Sequence, residues 1–179
     1  FLTLFTIVVV MNAYNLIDGV DGLAGTVSVI TSSIFGFFFF VNGDIFFSIM
    51  AFTFASSVIG FLIYNYSPAK IFMGDTGAML SGAVNVILVI RFIETAKSGS
   101  VLPILATPAM GFGVLLMPLL DTLRVFSIRM IHGRSPFSPD RNHLHHMLLD
   151  RGYNHIKVTS IIAATAILFI VLTYISLPL

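Results

Sequence analysis

Apolar residues run along this chain in long stretches that short polar segments separate. Six such stretches are present, at residues 1–16, 24–41, 45–64, 76–93, 101–128 and 156–177. A helix needs about 20 apolar residues to cross a bilayer, and in lipid only a helix or a closed barrel satisfies its own backbone. The pattern therefore predicts an all-α, polytopic transmembrane helical bundle of about six spans, forming one integral membrane domain over residues 1–179.

Composition supports the same class of protein. Hydrophobic residues make up 57% of the chain and charged residues 9%, with a mean hydropathy of +1.00, whereas soluble domains carry roughly 25% charged residues. The net charge of +1 gives no reason to expect a nucleic-acid partner. Cysteine is absent, which excludes a disulfide framework, a thiol nucleophile and a thiolate metal site.

The distribution of lysine and arginine predicts the orientation. If successive spans alternate in direction, one side of the membrane receives only Arg91 and Lys97. The other side receives seven basic residues: Lys70, Arg124, Arg129, Arg134, Arg141, Arg151 and Lys157. Basic residues are enriched in cytoplasmic loops, so we expect the second side to be cytoplasmic. Three polar clusters fall on that side, and we expect them to converge on a single site.

The first cluster is "NAYNLIDGVDGLAG", residues 12–25. Its polar side chains recur every third residue, at Asn12, Asn15, Asp18 and Asp21. On a helix each neighbouring pair shares a face, and Gly19 and Gly22 are expected to end the helix. Helix capping is the alternative reading, but a cap uses one side chain and ionisable groups at membrane depth are costly. A binding role is therefore favoured.

The second cluster, "PAKIFMGDTG" at residues 68–77, places Asp75 on a turn between Gly74 and Gly77. Mg²⁺ takes one or two protein carboxylates and fills its remaining positions with water and phosphate oxygens. Asp75 is therefore a candidate metal ligand. The alternative is that Asp75 or Thr76 only caps the span that follows.

The third cluster, "GRSPFSPDRNHLHHMLLDRG", combines arginines with His143, His145 and His146. On a regular helix His145 would point away from the other two, so a zinc site is unattractive. Arginine and histidine on a proline-containing loop suit anionic oxygens. The alternative is an anchor that binds lipid head groups, which accounts for the arginines but not for "HLHH".

Two smaller features are expected to be structural. Asp121 and Arg124 are three residues apart near the end of the fifth apolar run, and an ion pair at the membrane interface is a simpler interpretation than a direct role in a site. Residues 37–40 are four consecutive phenylalanines, which we expect to face lipid.

Four segments resemble one family in its own motif order: "NAYNLIDGVDGLAG", "PAKIFMGDTGAMLSG", "PLLDTLRV" and "GRSPFSPDRNHLHH". They are similar to the polyprenyl-phosphate N-acetylhexosamine-1-phosphate transferases, of the undecaprenyl-phosphate N-acetylglucosamine-1-phosphate type in glycosyltransferase family 4. The resemblance implies a multi-pass protein of the bacterial cytoplasmic membrane with a cytoplasmic active site. We expect the chain to be the carboxy-terminal part of such a transferase, because it opens within an apolar run and the family's aspartate-rich motif would precede residue 1.

The resemblance also implies roles for individual residues. Asp75 matches the metal ligand, for Mg²⁺ or alternatively Mn²⁺. The catalytic positions it implies are Asp18, Asp21, His143, His145 and His146. The substrate-binding positions it implies are Asn15, Asn65 and Phe72, with Phe72 supporting the uracil. Asn12 of the first cluster and Arg141 of the third are further substrate-binding candidates from the residue pattern.

The implied reaction transfers N-acetylhexosamine-1-phosphate, with N-acetylglucosamine as the expected sugar, from a UDP-sugar to undecaprenyl phosphate and releases UMP. Membrane lipid and a second copy in a homodimer are the other expected partners. One alternative is the phospho-N-acetylmuramoyl-pentapeptide transferase, but that branch carries three consecutive histidines where this chain has "HLHH". Another is an ion-coupled transporter, whose site would lie near the bilayer midplane.

Overall fold

A computed structural model describes residues 1–97, 108–135 and 142–176 of the chain. Over these residues the regular structure is helical, which confirms the all-α prediction. The helices are α1 (Leu2–Ile17), α2 (Leu23–Val41), α3 (Ile45–Asn65), α4 (Gly74–Lys97), α5 (Pro108–Val114), α6 (Leu116–Ile131), α7 (Leu144–Asp150) and α8 (His155–Ser176).

Four of these helices, α2, α3, α4 and α8, are long and apolar enough to cross a membrane. The apolar helix α1 is shorter, with 16 residues. The described part of the fifth predicted run, 101–128, is not one straight span, because α5 and α6 meet at a bend of 78°. Pro118 accounts for this bend: it has no N–H for the carbonyl of Val114, and its ring would clash with that carbonyl in a continuous helix.

The core of the bundle lies around α2, which packs against α1, α3, α4 and α8. Phe38 packs against Phe92 of α4 with ring centroids 4.4 Å apart and ring planes inclined by 56°. The expectation that residues 37–40 all face lipid is therefore wrong for two of the four phenylalanines. Phe38 and Phe39 are buried against α4 and α3, whereas Phe37 and Phe40 are 59% and 62% exposed. Phe37 and Phe40 are three residues apart and therefore share the outer face of the helix.

A buried network of polar side chains joins α1, α2 and α4. The hydroxyl groups of Tyr14 and Thr31 are 2.9 Å apart, and Thr31 donates to Oδ1 of Asn85 at 2.7 Å. All three side chains are fully buried. Because an unpaired polar group is costly in a membrane interior, this network favours one arrangement of the three helices.

Helices α1 and α4 approach each other closely at Gly82. A Cβ atom at this position would lie 2.6 Å from the backbone Cα of Met11. The hydrophobic effect does not drive helices together within lipid, so association depends on close packing, which small residues such as glycine allow. The pairing matters for the site because α1 leads into Asp18 and α4 begins beside Asp75.

The two ends of the bundle differ in chemistry. At one end Arg91 of α4 pairs with Asp44, the residue before α3, at 2.8 Å. Asp75 lies sixteen residues earlier on α4, a distance of about 24 Å along the axis. The acidic and histidine clusters predicted from the sequence lie at the end that carries Asp75.

We predict that Gly82→Ala destabilises the bundle by about 1–3 kcal/mol, because its Cβ would push α1 away from α4. The thermal midpoint of the detergent-solubilised protein should fall by several degrees. Gly60→Ala on α3 is the matched control, since nothing lies within 4 Å of a Cβ there. Equal midpoints for the two variants would contradict the close packing.

Candidate active site

The turn at residues 18–22 carries both aspartates of the first cluster. Helix α1 ends at Ile17, and the N–H of Asp18 donates to the carbonyl of Asn15 at 3.3 Å. Gly22 has a φ of +76°, a left-handed conformation that suits glycine, and precedes α2. The helix therefore ends where the glycines predict, and Asp18 and Asp21 lie in the turn rather than along a helix face.

Asp75 lies in the first turn of α4 and reaches back to the first cluster. Its Oδ1 accepts a hydrogen bond from Nδ2 of Asn15 at 3.2 Å. Asp18 accepts from the backbone N–H of Gly74, immediately before Asp75. The carboxylates of Asp18 and Asp75, 57 positions apart in the chain, thus come to one place.

A cavity of about 360 Å³, here called the carboxylate cavity, opens beside these groups. The side chains that line it include Asp18, Asp21, Asn65, Phe72, Asp75 and His155. The pKa of Asp18 is raised to about 6: burial is the main cause, the hydrogen bond from Gly74 opposes it, and the nearby charge of Asp75 adds to it. A cation between the two carboxylates would relieve this repulsion.

The donor set suits Mg²⁺ rather than a metal held wholly by protein. Among the described residues, no group of three or more histidine, cysteine, aspartate or glutamate side chains is placed to hold an ion. Two adjacent carboxylates with open space beside them fit an ion that keeps water and takes phosphate oxygens from a ligand. Asp18 and Asp75 are the residues that would hold it.

Asn65 and Phe72 both line the carboxylate cavity, but Asn65 is hydrogen-bonded within the protein and Phe72 is exposed. The buried amide of Asn65 accepts from the N–H of Gly22 at 2.9 Å and donates to the carbonyl of Ile71 at 2.9 Å. It therefore ties the turn at 18–22 to the segment before α4. Phe72 is 77% exposed, so its ring is available for stacking against a ligand.

A second cavity of about 250 Å³, here called the histidine cavity, adjoins the first. Its lining includes Asn15, Asp18, Gly19, Arg129, His143, His145 and His146. Asp18 and Gly19 line both cavities, so the two meet at the turn. A Cβ atom at Gly19 would overlap Nε2 of His145, so only glycine lets this ring lie against the turn.

The three histidines face one cavity, although a continuous helix would separate them. His143 precedes α7 and has an extended backbone, with φ −63° and ψ 148°. The rings of His143 and His145 are parallel to within 10° with centroids 5.6 Å apart. The pKa of His145 is lowered to about 4, mainly by burial and also by the neighbouring histidines, against the opposing charge of Asp121, so His145 is neutral at pH 7.

Asp121 of α6 holds this segment in place. Its carboxylate accepts from the N–H of Leu144 at 3.0 Å, lies 2.9 Å from Nδ1 of His143, and contacts Nη2 of Arg124 at 3.3 Å. The expected ion pair with Arg124 is present. The structure adds that Asp121 is buried and joins α6 to the start of α7, which makes it a positioning residue for the histidines.

Two residues that line the cavities were not predicted as site residues from the sequence. Arg129 is buried and lines the histidine cavity; its position eight residues after Asp121, on the same face of α6, is the signal that could have indicated it. His155 lines the carboxylate cavity beside Asp21, with Nδ1 3.2 Å from the carboxylate. It follows a loop without a recognisable pattern, and no local signal identifies it.

Two predicted substrate-binding residues are not brought to the cavities in the described structure. Asn12 lies further inside α1, is exposed, and donates to the carbonyl of Val8 in its own helix at 2.8 Å. It lines neither cavity. Arg141 lies outside the described residues. The chemical roles of all these side chains remain predictions.

The fold and the two cavities define a multi-pass membrane protein whose helix ends form a cleft suited to a cation and a phosphate-bearing ligand. The chain belongs to glycosyl transferase family 4, whose profile matches residues 1–93. It is 32% identical over 172 residues to the undecaprenyl-phosphate alpha-N-acetylglucosaminyl 1-phosphate transferase of Escherichia coli strain K12. It is 36% identical over 179 residues to the decaprenyl-phosphate N-acetylglucosaminephosphotransferase of Mycobacterium leprae.

These matches cover nearly all of this chain and less than half of each relative. The Escherichia coli alignment includes 94% of the chain and 45% of the relative. The Mycobacterium leprae alignment includes 90% of the chain and 44% of the relative. The chain therefore spans about 45% of the length of these curated relatives.

We predict that Asp121→Asn loosens the start of α7, because the amide loses the charge that Nδ1 of His143 and the N–H of Leu144 contact. Hydrogen exchange of the amides in α7 should become at least tenfold faster while exchange in α2 stays unchanged. Ser127→Ala is the control, since this exposed residue of α6 bonds only to the carbonyl of Leu123 in its own helix and should leave α7 unchanged. Equal protection of α7 in Asp121→Asn and the wild type would contradict this role.

Proposed function

We propose that this chain forms part of an enzyme that transfers N-acetylglucosamine-1-phosphate from UDP-N-acetylglucosamine to undecaprenyl phosphate. The observation that carries the proposal is the meeting of two cavities at Asp18, one with carboxylates for a cation and one with histidines and Arg129 for anions. The names of the two relatives describe the same sugar and a polyprenyl phosphate.

In the proposed reaction, an oxygen of the lipid phosphate attacks the phosphorus that carries the sugar. The bond from that phosphorus to the oxygen bridging the two phosphates breaks, and UMP leaves with that oxygen. The product is a lipid diphosphate bearing the sugar. Phosphoryl transfer of this kind depends on positioning and charge stabilisation more than on covalent chemistry by the protein.

The carboxylate cavity is the proposed site for the donor. Asp18 and Asp75 would hold Mg²⁺, with Mn²⁺ as the alternative ion, and the bound ion would neutralise charge on the diphosphate. Phe72 would stack on the uracil, because its exposed ring borders this cavity. Asn15 keeps Asp75 in place through its hydrogen bond to Oδ1.

The histidine cavity is the proposed site for phosphate oxygens. A guanidinium group binds phosphate through several parallel hydrogen bonds, and Arg129 is buried where it lines this cavity. His145 and His146 lie beside it and supply further ring nitrogens for the oxygens that gain charge during transfer. We extend the same proposed role to Arg141.

The proposed orientation places the cavities at the cytoplasmic face of the bacterial inner membrane. The basic residues counted from the sequence support this assignment, since seven fall on the side of Lys70 and two on the other. Both substrates could then reach the cleft, the UDP-sugar from the cytoplasm and the lipid from the bilayer. A transporter is less well supported, because the cavities lie at helix ends rather than along the spans.

The donor is the sharpest test of this proposal. Membranes containing the protein encoded by the complete reading frame would receive undecaprenyl phosphate, Mg²⁺ and one donor at a time. We expect UMP release and lipid-linked product with UDP-N-acetylglucosamine. Product with UDP-N-acetylmuramoyl-pentapeptide alone would support the peptidoglycan transferase instead, and product with neither donor would refute the proposal.

A second prediction concerns the cation. Asp75→Asn keeps the shape of the side chain and removes its charge, so we expect transfer to fall about 100-fold or more at a fixed Mg²⁺ concentration. Chelation should abolish wild-type transfer, and added Mg²⁺ should restore it. Glu94→Gln, an exposed carboxylate near the other end of α4, should leave transfer unchanged. Wild-type turnover by Asp75→Asn at saturating Mg²⁺ would eliminate the ligand role.

A further inference from the structure

Asp21 is held by α8 through contacts on both its side chain and its backbone. Nδ1 of His155 lies 3.2 Å from Oδ2 of Asp21, to which it donates when it carries a proton. In the other tautomer the same Nδ1 accepts from the backbone N–H of Asp21, at 3.3 Å. The hydroxyl of Thr159 donates to the backbone carbonyl of Asp21 at 2.9 Å. One helix therefore contacts the carboxylate, the N–H and the carbonyl of a single residue.

The two contacting residues lie on one face of α8. His155 begins the helix, and Thr159 follows one turn later. Thr159 is buried, and α8 packs against α2, α5, α6 and α7. The position of His155 is thus set by a long helix anchored in the bundle, which is a more rigid support than a loop.

A second element reaches the same carboxylate oxygen. The backbone N–H of Ala69 donates to Oδ2 of Asp21 at 3.3 Å. Contacts from two separate segments restrict the rotation of the carboxylate. Among the described residues, Oδ1 makes no hydrogen bond within the protein and remains able to accept one from a ligand.

The contact between His155 and Asp21 faces the carboxylate cavity. Both residues line that cavity together with Asp18 and Asp75. The side chain of His155 is 40% exposed, and that of Asp21 is 15% exposed. A contact that served only to pack α8 against the turn would not need to open into the space proposed for the donor.

We propose that His155 is a positioning residue that orients the carboxylate of Asp21 toward the nucleotide-sugar donor, where it accepts a hydrogen bond from an O–H or N–H group. This inference rests on the proposed function. It adds a residue from α8, outside the three clusters found in the sequence, to the donor site. It also assigns Asp21 a task distinct from that of Asp18 and Asp75. One oxygen of Asp21 is contacted by both Ala69 and His155, whereas Asp18 and Asp75 lie close enough for their charges to interact.

The first test separates binding of the donor from the rest of the reaction. In the protein from the complete reading frame, His155→Leu should raise the KM for UDP-N-acetylglucosamine about tenfold, the effect of losing one hydrogen bond to a charged group. The KM for undecaprenyl phosphate should stay within about twofold of the wild type. His155→Asn, whose amide nitrogen replaces Nδ1, should restore most of the donor affinity. Ser160→Ala, an exposed position on the same helix, is the matched control.

The second test asks whether His155 acts through Asp21. In an Asp21→Asn background, adding His155→Leu should change the donor KM little further, because the partner of the ring is already altered. A full additional effect of His155→Leu in that background would overturn the inference, since the ring would then act independently of Asp21. An equal rise in both KM values would also overturn it by indicating a general loss of structure.

A third measurement does not depend on turnover. Hydrogen exchange of the amides at residues 19–22 should be faster in His155→Leu than in the wild type and close to the wild type in His155→Asn. Unchanged exchange in His155→Leu would overturn the inference even if the enzyme is active. If the wild type makes no product but the exchange results are as expected, the proposed function fails while the contact stands.

Discussion

The close packing of α1 against α4 is the contact on which the site depends. Each helix carries one of the two carboxylates proposed to hold a cation, Asp18 after α1 and Asp75 at the start of α4. Gly82 lets the two backbones approach, and the buried network through Asn85 joins the helices deeper in the bundle. Since the separation of two carboxylates decides whether one ion can contact both, a shift between these helices would change the chemistry even if every side chain stayed in place.

The turn at residues 18–22 divides the cleft into two environments. On one side lie the carboxylates, where burial and, to a smaller extent, the charge of Asp75 raise the pKa of Asp18. On the other side histidines and Arg129 offer groups that bind anions. The two environments meet at Asp18 and Gly19, where a diphosphate could contact a cation and hydrogen-bond donors at once. This arrangement explains why so apolar a chain carries so many polar residues at one end.

Each part of the cleft is held by a residue from an element distant in the chain. Asn65 joins the aspartate turn to the segment before α4, Asp121 fixes the start of α7, and His155 contacts Asp21 from α8. A buried polar group is costly without a hydrogen-bond partner, and for these groups the partners come from within the protein. The same contacts that satisfy these groups also restrict their orientation, as the proposed phosphoryl transfer would require.

The sequence by itself determined the helical class, the long spans, the end of α1 at the glycine turn and the three polar clusters, because run length, glycine and helix-capping residues act locally. Only the tertiary structure decided that His143, His145 and His146 face one cavity, since His143 lies outside α7 and Asp121 of another helix orients it. It likewise decided that Phe38 and Phe39 are buried and that His155 reaches Asp21. These outcomes depend on which helix faces each side chain, and a repeating apolar pattern carries little of that information because lipid and protein interior are almost equally apolar.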